Sequence, residues 1–316
     1  MKRIGFLVFD GVTMLDLHGP AEVFGRARGY EMRVFSPHGG TVFAANGLPI
    51  ADTEAASAAG ATALDTVVIT GSDTLPDEEL DEDLLKATLQ ITKGVRRVAS
   101  VCTGAFLLAE LGLLDGRRTT THWRNARDLA QRFPKVRVEP DMLHVHDGGF
   151  LSSAGITAGI DLALSLVEED FGAEISRAIA QEMVVFMHRP GGQTQFAGSP
   201  NSPAVDSPIL KSVLDRIFAN PTGTFTVAEL ANDVAVSPRH LSRLFQAELG
   251  TTPIRWIEGF RLATAQRLIL EGHTITAAAR HSGFRTDENL RRAFDRRLHI
   301  TPSEYRERFS STFGRG

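Results

Sequence analysis

The carboxyl-terminal third of the sequence contains an internal repeat, and this repeat constrains the fold more than any other feature. A shift of 49 residues aligns similar residue types: Ser237 with Thr286, Leu241 with Leu290, Arg243 with Arg292, Phe245 with Phe294 and Trp256 with Tyr305. An internal repeat of this length indicates two copies of one supersecondary unit. Each copy has the pattern of a helix, a tight turn and a second helix.

Capping residues mark where these helices begin. Thr226 and Glu229 have the spacing of a capping box, and Ser237-Pro238 supplies an N-cap followed by a proline at the first helical position. Two short helices joined by a turn, the second carrying arginines, are typical of a helix-turn-helix that places its second helix in a DNA major groove. Between the copies, residues 253–270 predict a helix about 27 Å long. That length is close to the roughly 34 Å between successive major-groove faces on one side of DNA.

This region resembles the DNA-binding domain of the AraC/XylS family of transcription regulators. The resemblance covers about the last hundred residues and rests on the repeat, the connecting helix, Gly283-Phe284 and the Thr301-Pro302 to Tyr305-Arg306 ending. By position, it implies base-contacting side chains on the second helix of each copy: Arg239, Ser242, Arg243, Asp287, Glu288, Arg291 and Arg292.

Simpler interpretations of these side chains remain open. Arginines on an exposed helix face are often only solvated. Asp287 and Glu288 either complement the positive end of their helix dipole or accept a hydrogen bond from cytosine N4.

Charge is divided unequally along the chain, whose formal net charge is −4. Residues 207–316 contain 16 Lys+Arg against 11 Asp+Glu, whereas residues 1–206 contain 18 against 27. A basic part behind an acidic part favours nucleic-acid binding by the former and contacts with small molecules or proteins by the latter. The length of 316 residues is consistent with two domains.

Cysteine content and hydropathy indicate the compartment. The lone cysteine, Cys102, excludes an internal disulfide and favours a reducing cytoplasm. The apolar run after Lys2-Arg3 ends at Asp10, too soon for a signal peptide. The longest apolar windows fall short of the roughly 20 residues that a transmembrane helix needs. We therefore expect a soluble cytoplasmic protein with no membrane contact.

Short apolar runs alternate with helical patterns in the first 175 residues or so. Strands are predicted at 4–9, 31–36, 66–70, 95–101, 136–139, 143–145 and 150–152, with a hairpin around Asn46-Gly47. Helices are predicted at 15–28, 78–93, 105–111 and 159–171. This alternation predicts an α/β domain with a mostly parallel sheet covered by helices on both faces.

Cys102 lies between a predicted strand and a predicted helix. Such a turn presents a nucleophile at the carboxyl edge of a parallel sheet, and the start of the helix favours the thiolate. Gly104 allows the chain to turn without a Cβ clash. The pattern is equally consistent with a small buried apolar residue, so both interpretations remain open.

Residues 1 to about 175 resemble the ThiJ/PfpI family, a branch of the class-I glutamine amidotransferase-like superfamily with a flavodoxin-like sheet. The resemblance rests on residues 10–16 with Gly19-Pro20, on residues 101–105, and on residues 112–116 with 121–123. It implies a catalytic or effector pocket formed by Asp16, Gly71, Cys102, Thr103 and His122. The cysteine would be the nucleophile, and the main-chain amides of Gly71 and Thr103 would stabilise an oxyanion.

Within that family the pattern is most similar to isocyanide hydratases, in which the cysteine adds to the substrate carbon and the aspartate manages protons and water. One departure is Ser72, where many relatives have a second glycine. Asp16 could instead complement a helix dipole, and His122 could be an ordinary surface or core histidine. His144-Val-His146 lacks a third ligand, so we expect no metal and no cofactor.

Together these features predict three segments. Residues 1–187 would be the ThiJ/PfpI-like sensor, 188–206 a flexible linker rich in glycine, proline and serine, and 207–316 an all-α domain with two helix-turn-helix units. The predicted protein is a homodimeric transcription regulator that binds double-stranded DNA under control of a small-molecule effector. The alternatives are a cysteine-dependent hydratase with an accessory DNA-binding module, and a redox sensor acting through Cys102.

Overall fold

A computed structural model describes residues 1–61, 63–77, 79–187, 192–193, 205 and 207–309. The chain forms two compact units, Met1–Gln193 and Thr194–Gly316. The predicted linker at 188–206 lies outside the described residues except for Gly192, Gln193 and Val205. Of these, Gln193 is the last residue of the first unit.

The first unit is built on an eight-stranded sheet. The strands of this unit, in chain order, are β1 (Lys2–Leu7), β2 (Tyr30–Ser36), β3 (Gly40–Phe43), β4 (Pro49–Ala55), β5 (Thr66–Ile69), β6 (Arg97–Val101), β7 (Arg118–Thr119), β8 (Arg137–Val138), β9 (His144–Asp147) and β10 (Phe150–Ser153). The sheet order is β3-β4-β2-β1-β5-β6-β10-β9, while β7 and β8 form a separate parallel pair. Its edge strands β3 and β9 pair antiparallel, and the remaining neighbours pair parallel.

Helices cover both faces of this sheet. They are α1 (Met14–Arg26), α2 (Glu82–Ile91), α3 (Gly104–Glu110), α4 (Ala126–Arg132), α5 (Ala158–Phe171) and α6 (Ala173–Glu182), with a 3-10 helix at Ala56–Ala61. Successive β1 residues point to opposite faces, so Phe6 joins the core under α1, α5 and α6, whereas Leu7 joins the core under α2 and α3. The predicted flavodoxin-like α/β class is confirmed.

Two differences from the sequence-based elements have local causes. Helix α2 begins at Glu82 rather than near residue 78, because the Asp81 carboxylate caps it by accepting the N–H groups of Asp83 and Leu84. Helices α4 and α6 were not predicted. Helix α6 buries only Ser176, Ile179 and Ala180, too few apolar residues to give a clear helical pattern.

The second unit is helical. Its helices are α7 (Pro208–Ala219), α8 (Val227–Asp233), α9 (Pro238–Leu249), α10 (Pro253–Leu270), α11 (Ile275–His281), α12 (Asp287–Leu298) and α13 (Pro302–Phe309). The capping box at Thr226 and Glu229 is present. The repeated Phe245 and Phe294 are both fully buried, each in its own core, and α10 contributes to both cores. The all-α domain with two helix-turn-helix units is confirmed. None of the described helices combines the length and apolarity needed to cross a membrane.

Candidate functional site

The strand-to-helix turn at Cys102 is a strained elbow between β6 and α3. Cys102 has a φ of 56°, a conformation that side chains other than glycine rarely adopt. Its main-chain N–H donates to the carbonyl oxygen of Ser153 at 3.1 Å. A Cβ on Gly155 would overlap Cys102, and one on Gly104 would overlap the Ile69 carbonyl. Glycines on both sides therefore permit the elbow, which holds the thiol almost completely buried.

Asp16 lies against this elbow, in the first turn of α1. Its Oδ1 accepts the N–H of Ile156 at 2.7 Å, and its Oδ2 accepts that of Gly71 at 3.3 Å. Burial raises the pKa of Asp16 to about 7, although these two hydrogen bonds oppose the shift. A carboxyl group in this state exchanges its proton near neutral pH, as a general acid or a protonation-sensitive contact requires.

Burial favours the neutral form of the Cys102 thiol, whereas its place before α3 favours the thiolate. Burial raises its pKa well above the ordinary range, and the negative charge of Asp16 adds to this shift. The N–H of Thr103 lowers the pKa by donating to the sulfur, but this effect is smaller. Desolvation therefore outweighs the start of the helix.

The two predicted oxyanion donors lie at the site but already have acceptors. Gly71 and Thr103 touch so closely that a Cβ on Gly71 would lie 2.6 Å from the Thr103 nitrogen. The Gly71 amide donates to Asp16, and the Thr103 amide to the sulfur. The next amide, that of Ser72, donates to Thr103 Oγ1 at 2.9 Å. An oxyanion would have to displace these internal acceptors.

Asp73 lies close enough to His122 for its charge to act on the imidazole. Burial lowers the pKa of the half-buried His122 and Arg124 adds to this, whereas Asp73 opposes it. The charge of Asp73 also raises the pKa of both Asp16 and Cys102. Asp73 lines a cavity of about 370 Å³ with Thr13, Met14, Leu15, His18, Ala45 and Asn46. Sequence reasoning missed Asp73, although it lies only two residues after Gly71.

The structure offers few ligands for a metal ion at the histidine pair His144 and His146. His146 Nε2 lies 3.0 Å from the Ser165 hydroxyl. Within the described residues, no three His, Cys, Asp or Glu side chains are grouped to hold an ion.

Asp16→Asn is expected to change how the stability of the first unit depends on pH. The pKa of Asp16 is 3.8 in an ordinary environment and about 7 in the folded state. The resulting stabilisation is complete at low pH and is lost as the pH rises through about 7. Between about pH 5 and 6.5, the unfolding free energy of the wild type should fall relative to the variant by about 1.4 kcal/mol per pH unit.

Urea unfolding followed by Trp123 fluorescence measures this difference. Because the chain has two tryptophans, both proteins carry Trp256→Phe so that only the first unit reports. Parallel pH profiles for the two proteins would mean that Asp16 titrates in its ordinary range.

The predicted DNA-contacting side chains of the first helix-turn-helix lie on α9. Arg239 and Arg243 are exposed, and neither takes part in a hydrogen bond or ion pair with another described residue. The Ser242 hydroxyl donates to the carbonyl oxygen of Pro238 at 2.9 Å, one turn earlier in the same helix. This helix therefore presents two unneutralised guanidinium groups.

In the second helix-turn-helix, the predicted DNA-contacting arginines Arg291 and Arg292 are paired. Glu288 accepts both Arg291, at 2.9 and 3.0 Å, and Arg292, at 2.8 Å. These hydrogen bonds lower the pKa of Glu288 to about 2. Asp287 accepts the Thr276 hydroxyl at 2.7 Å, which ties α12 to α11. The two recognition helices therefore differ in available positive charge.

Other basic residues of the second unit hold its two halves together. Arg296 and Arg297, on the last turn of α12, pair with Glu258 of α10. Arg261 of α10 donates to the Pro221 carbonyl at 3.1 Å. Gly283, with a φ of 89°, packs so closely that a Cβ there would lie 2.7 Å from the same carbonyl oxygen. Sequence reasoning did not anticipate these contacts.

Two family profiles match the chain, one within each of its two compact units. The sequence profile of the DJ-1/PfpI family matches residues 2–169, and that of a helix-turn-helix domain matches residues 230–308. The chain belongs to the DJ-1/PfpI family and carries an AraC-type helix-turn-helix domain behind the family domain.

Three similar proteins illustrate both parts. The HTH-type transcriptional regulator GbdR of Pseudomonas aeruginosa is 29% identical over 313 residues, covering 97% of this chain and 84% of that protein. Isonitrile hydratase of Pseudomonas putida is 32% identical over 181 residues, covering 57% of this chain and 77% of that enzyme. The crystal structure of an AraC family transcriptional regulator from Pseudomonas putida superposes with a TM-score of 0.52 at 23% identity, covering 58% of this chain and all of that one. This last similarity shows the fold.

Proposed function

We propose that this protein is a sequence-specific DNA-binding transcription regulator whose first unit controls it in response to a small molecule. The observation that carries the DNA-binding part is the duplicated helix-turn-helix, with Arg239 and Arg243 exposed on the recognition helix of its first copy. Two recognition helices separated by the 18 residues of α10 suit two successive major-groove segments on one side of DNA.

The small molecule would bind near Asp16, Cys102 and His122. The cavity described above is lined by Asp73, whose charge acts on all three residues, and not by the three residues themselves. An Asp16 carboxyl that titrates near pH 7 and a neutral thiol are contacts whose hydrogen bonding a ligand can reorganise. The ligand would favour one of two arrangements that differ in DNA affinity. We further propose a cytoplasmic homodimer in which residues 188–206 connect sensor (1–187) and DNA-binding domain (207–316), so that two heads engage separate half-sites.

Selection of duplexes from a random DNA pool by the full-length protein tests the DNA-binding part. We expect one enriched sequence, bound with an affinity that falls steeply with salt, because arginines displace counterions from the phosphates. Equal binding of the selected and scrambled duplexes at every salt concentration would contradict sequence-specific regulation.

A cysteine-dependent hydratase is the second candidate, because Asp16 and Cys102 lie close enough for each to affect the pKa of the other, as in an acid–nucleophile pair. The occupied amides of Gly71, Ser72 and Thr103 and the neutral buried thiol favour the sensor over this enzyme. The raised pKa and burial of Cys102 also disfavour a redox sensor, which needs an accessible thiolate. Turnover of an isocyanide by the full-length protein that disappears in Cys102→Ala would establish the enzyme instead.

A further inference from the structure

Gln193 is anchored inside the first unit at the point where the chain leaves it. Its side chain is 2% exposed. Its Nε2 shares two hydrogens among three acceptors: Thr121 O at 2.9 Å, Met142 O at 3.0 Å and Thr120 Oγ1 at 3.1 Å. Its main-chain N–H donates to Asp141 O at 2.8 Å. Only a glycine at position 192 allows this approach, since a Cβ there would overlap Asp141.

A short chain of hydrogen bonds leads from Gln193 to the Cys102 elbow. Thr121, which receives Gln193 on its carbonyl oxygen, donates its hydroxyl to the carbonyl oxygen of Cys102 at 2.7 Å. The neighbouring Thr120 donates its main-chain N–H to the Ser152 hydroxyl, on the strand beside β6. Both threonines are fully buried, and the next residue is His122 of the candidate site. These hydrogen bonds form a continuous buried connection between the elbow and Gln193, which is the kind of contact network that coupling between two sites requires.

One polar atom of the Gln193 side chain takes no part in these hydrogen bonds. The Gln193 Oε1 atom is buried and has no hydrogen-bond partner within the described part of the chain. Rotating the amide gives no relief, because Oε1 would then face the carbonyl oxygens that now accept Nε2. A buried acceptor without a donor costs free energy that contact with water would recover. The anchored and released arrangements of Gln193 therefore lie closer in free energy than a fully paired anchor would allow.

We propose that Gln193 couples the Asp16–Cys102 site to the DNA-binding unit, by remaining anchored in one state of the site and being released in the other. Gln193 is the last residue of the first unit, so its release would detach that end of the unit from residues 121, 141 and 142. This inference rests on the proposed function, because it explains how the site would control DNA affinity.

A double-mutant cycle tests the coupling in the full-length protein. Asp16→Asn perturbs the site, and Gln193→Ala removes the anchor. Affinity for the duplex selected by the wild type is measured at pH 8, where Asp16 is mostly ionised and the substitution removes a charge. We expect Asp16→Asn to change the affinity by about fivefold or more when Gln193 is present, and by less than about twofold in Gln193→Ala. Gln181→Ala, an exposed glutamine at the end of α6, is the matched control and should leave the response intact.

The outcomes separate this inference from the proposed function. An equal response to Asp16→Asn with and without Gln193 would overturn the coupling role and leave the regulator intact. Absence of a response in the otherwise wild-type protein would overturn the inference, and failure of the wild type to select any duplex would overturn the proposed function itself. If Gln193→Ala does not fold, Thr121→Val replaces it, because this near-isosteric change removes only the hydroxyl that reaches Cys102. It should weaken the response in the same way, and an undiminished response would overturn the inference.

Discussion

Replacing both Arg239 and Arg243 by alanine should weaken binding to the selected duplex by about 2 to 6 kcal/mol, since an arginine bound to guanine contributes about 1–3 kcal/mol. Both side chains are exposed and have no internal partner among the described residues, so no intramolecular contact must break before they bind DNA. Arg291 and Arg292 must first leave Glu288 before they bind DNA. Replacing both of them by alanine should therefore weaken binding to the duplex less than replacing Arg239 and Arg243. Fluorescence anisotropy at fixed salt measures both losses.

The control for this comparison is Arg306→Ala, an exposed arginine on α13 outside both recognition helices. Its effect should be small. If the Arg291 and Arg292 variant loses more affinity than the Arg239 and Arg243 variant, pairing in the free protein does not limit recognition by the second copy.

Glu288→Gln distinguishes the roles open to the acidic residue on α12. If Glu288 only restrains Arg291 and Arg292, the variant binds every duplex more tightly and its affinity depends more steeply on salt. Each additional phosphate contact makes the slope of log K against log salt concentration more negative by about 0.9. If Glu288 instead accepts a hydrogen bond from cytosine, the variant loses affinity for the selected duplex alone.

From the sequence, the helices, strands and fold class could be predicted better than the protonation states of the side chains. Repeat spacing, caps and apolar periodicity are local signals, so the two helix-turn-helix units and the α/β class followed from them. The elbow at Cys102 followed from a strand, a glycine and a helix in order. The state of its thiol did not, because desolvation depends on how completely other elements cover the sulfur.

The same limit applies to the residues that sequence reasoning missed. Gln193 lay in a stretch rich in glycine and proline, and nothing local indicates that its amide reaches acceptors on residues 120, 121 and 142. Pairing of Glu288 with Arg291 and Arg292 follows from helical spacing, whereas the contact of Arg296 with Glu258 needs the placement of α10 against α12. Contacts between distant elements are set by tertiary structure.

A buried ionic network lies at the amino-terminal ends of β1, β2 and β6, whereas Cys102 follows the carboxyl-terminal end of β6. The network holds α5 to these strands. The Asp170 side chain, 1% exposed, accepts the Lys2 ammonium at 2.5 Å and the Tyr30 hydroxyl at 2.6 Å. It also pairs with Arg97, which is itself buried. Burial alone would raise the pKa of Asp170, but hydrogen bonds from Arg97, Lys2 and Tyr30 outweigh it and hold the pKa well below its ordinary range. Because α5 begins just after Ile156, whose N–H holds Asp16, this network supports the site from the far end of the helix.

Asp170→Asn should destabilise the first unit by about 3–5 kcal/mol, because it leaves the buried guanidinium of Arg97 without its carboxylate. A depressed pKa stabilises the folded state above the unfolded value, so the difference between wild type and variant should shrink as the pH falls below about 4. Glu169→Gln is the matched control: this carboxylate is half exposed, reaches Arg97 only at 3.4 Å, and should cost less than about 1 kcal/mol. Urea unfolding by Trp123 fluorescence in the Trp256→Phe background measures all three proteins. A loss no larger for Asp170→Asn than for Glu169→Gln would show that water or rearranged side chains replace the carboxylate, and that α5 does not depend on this network.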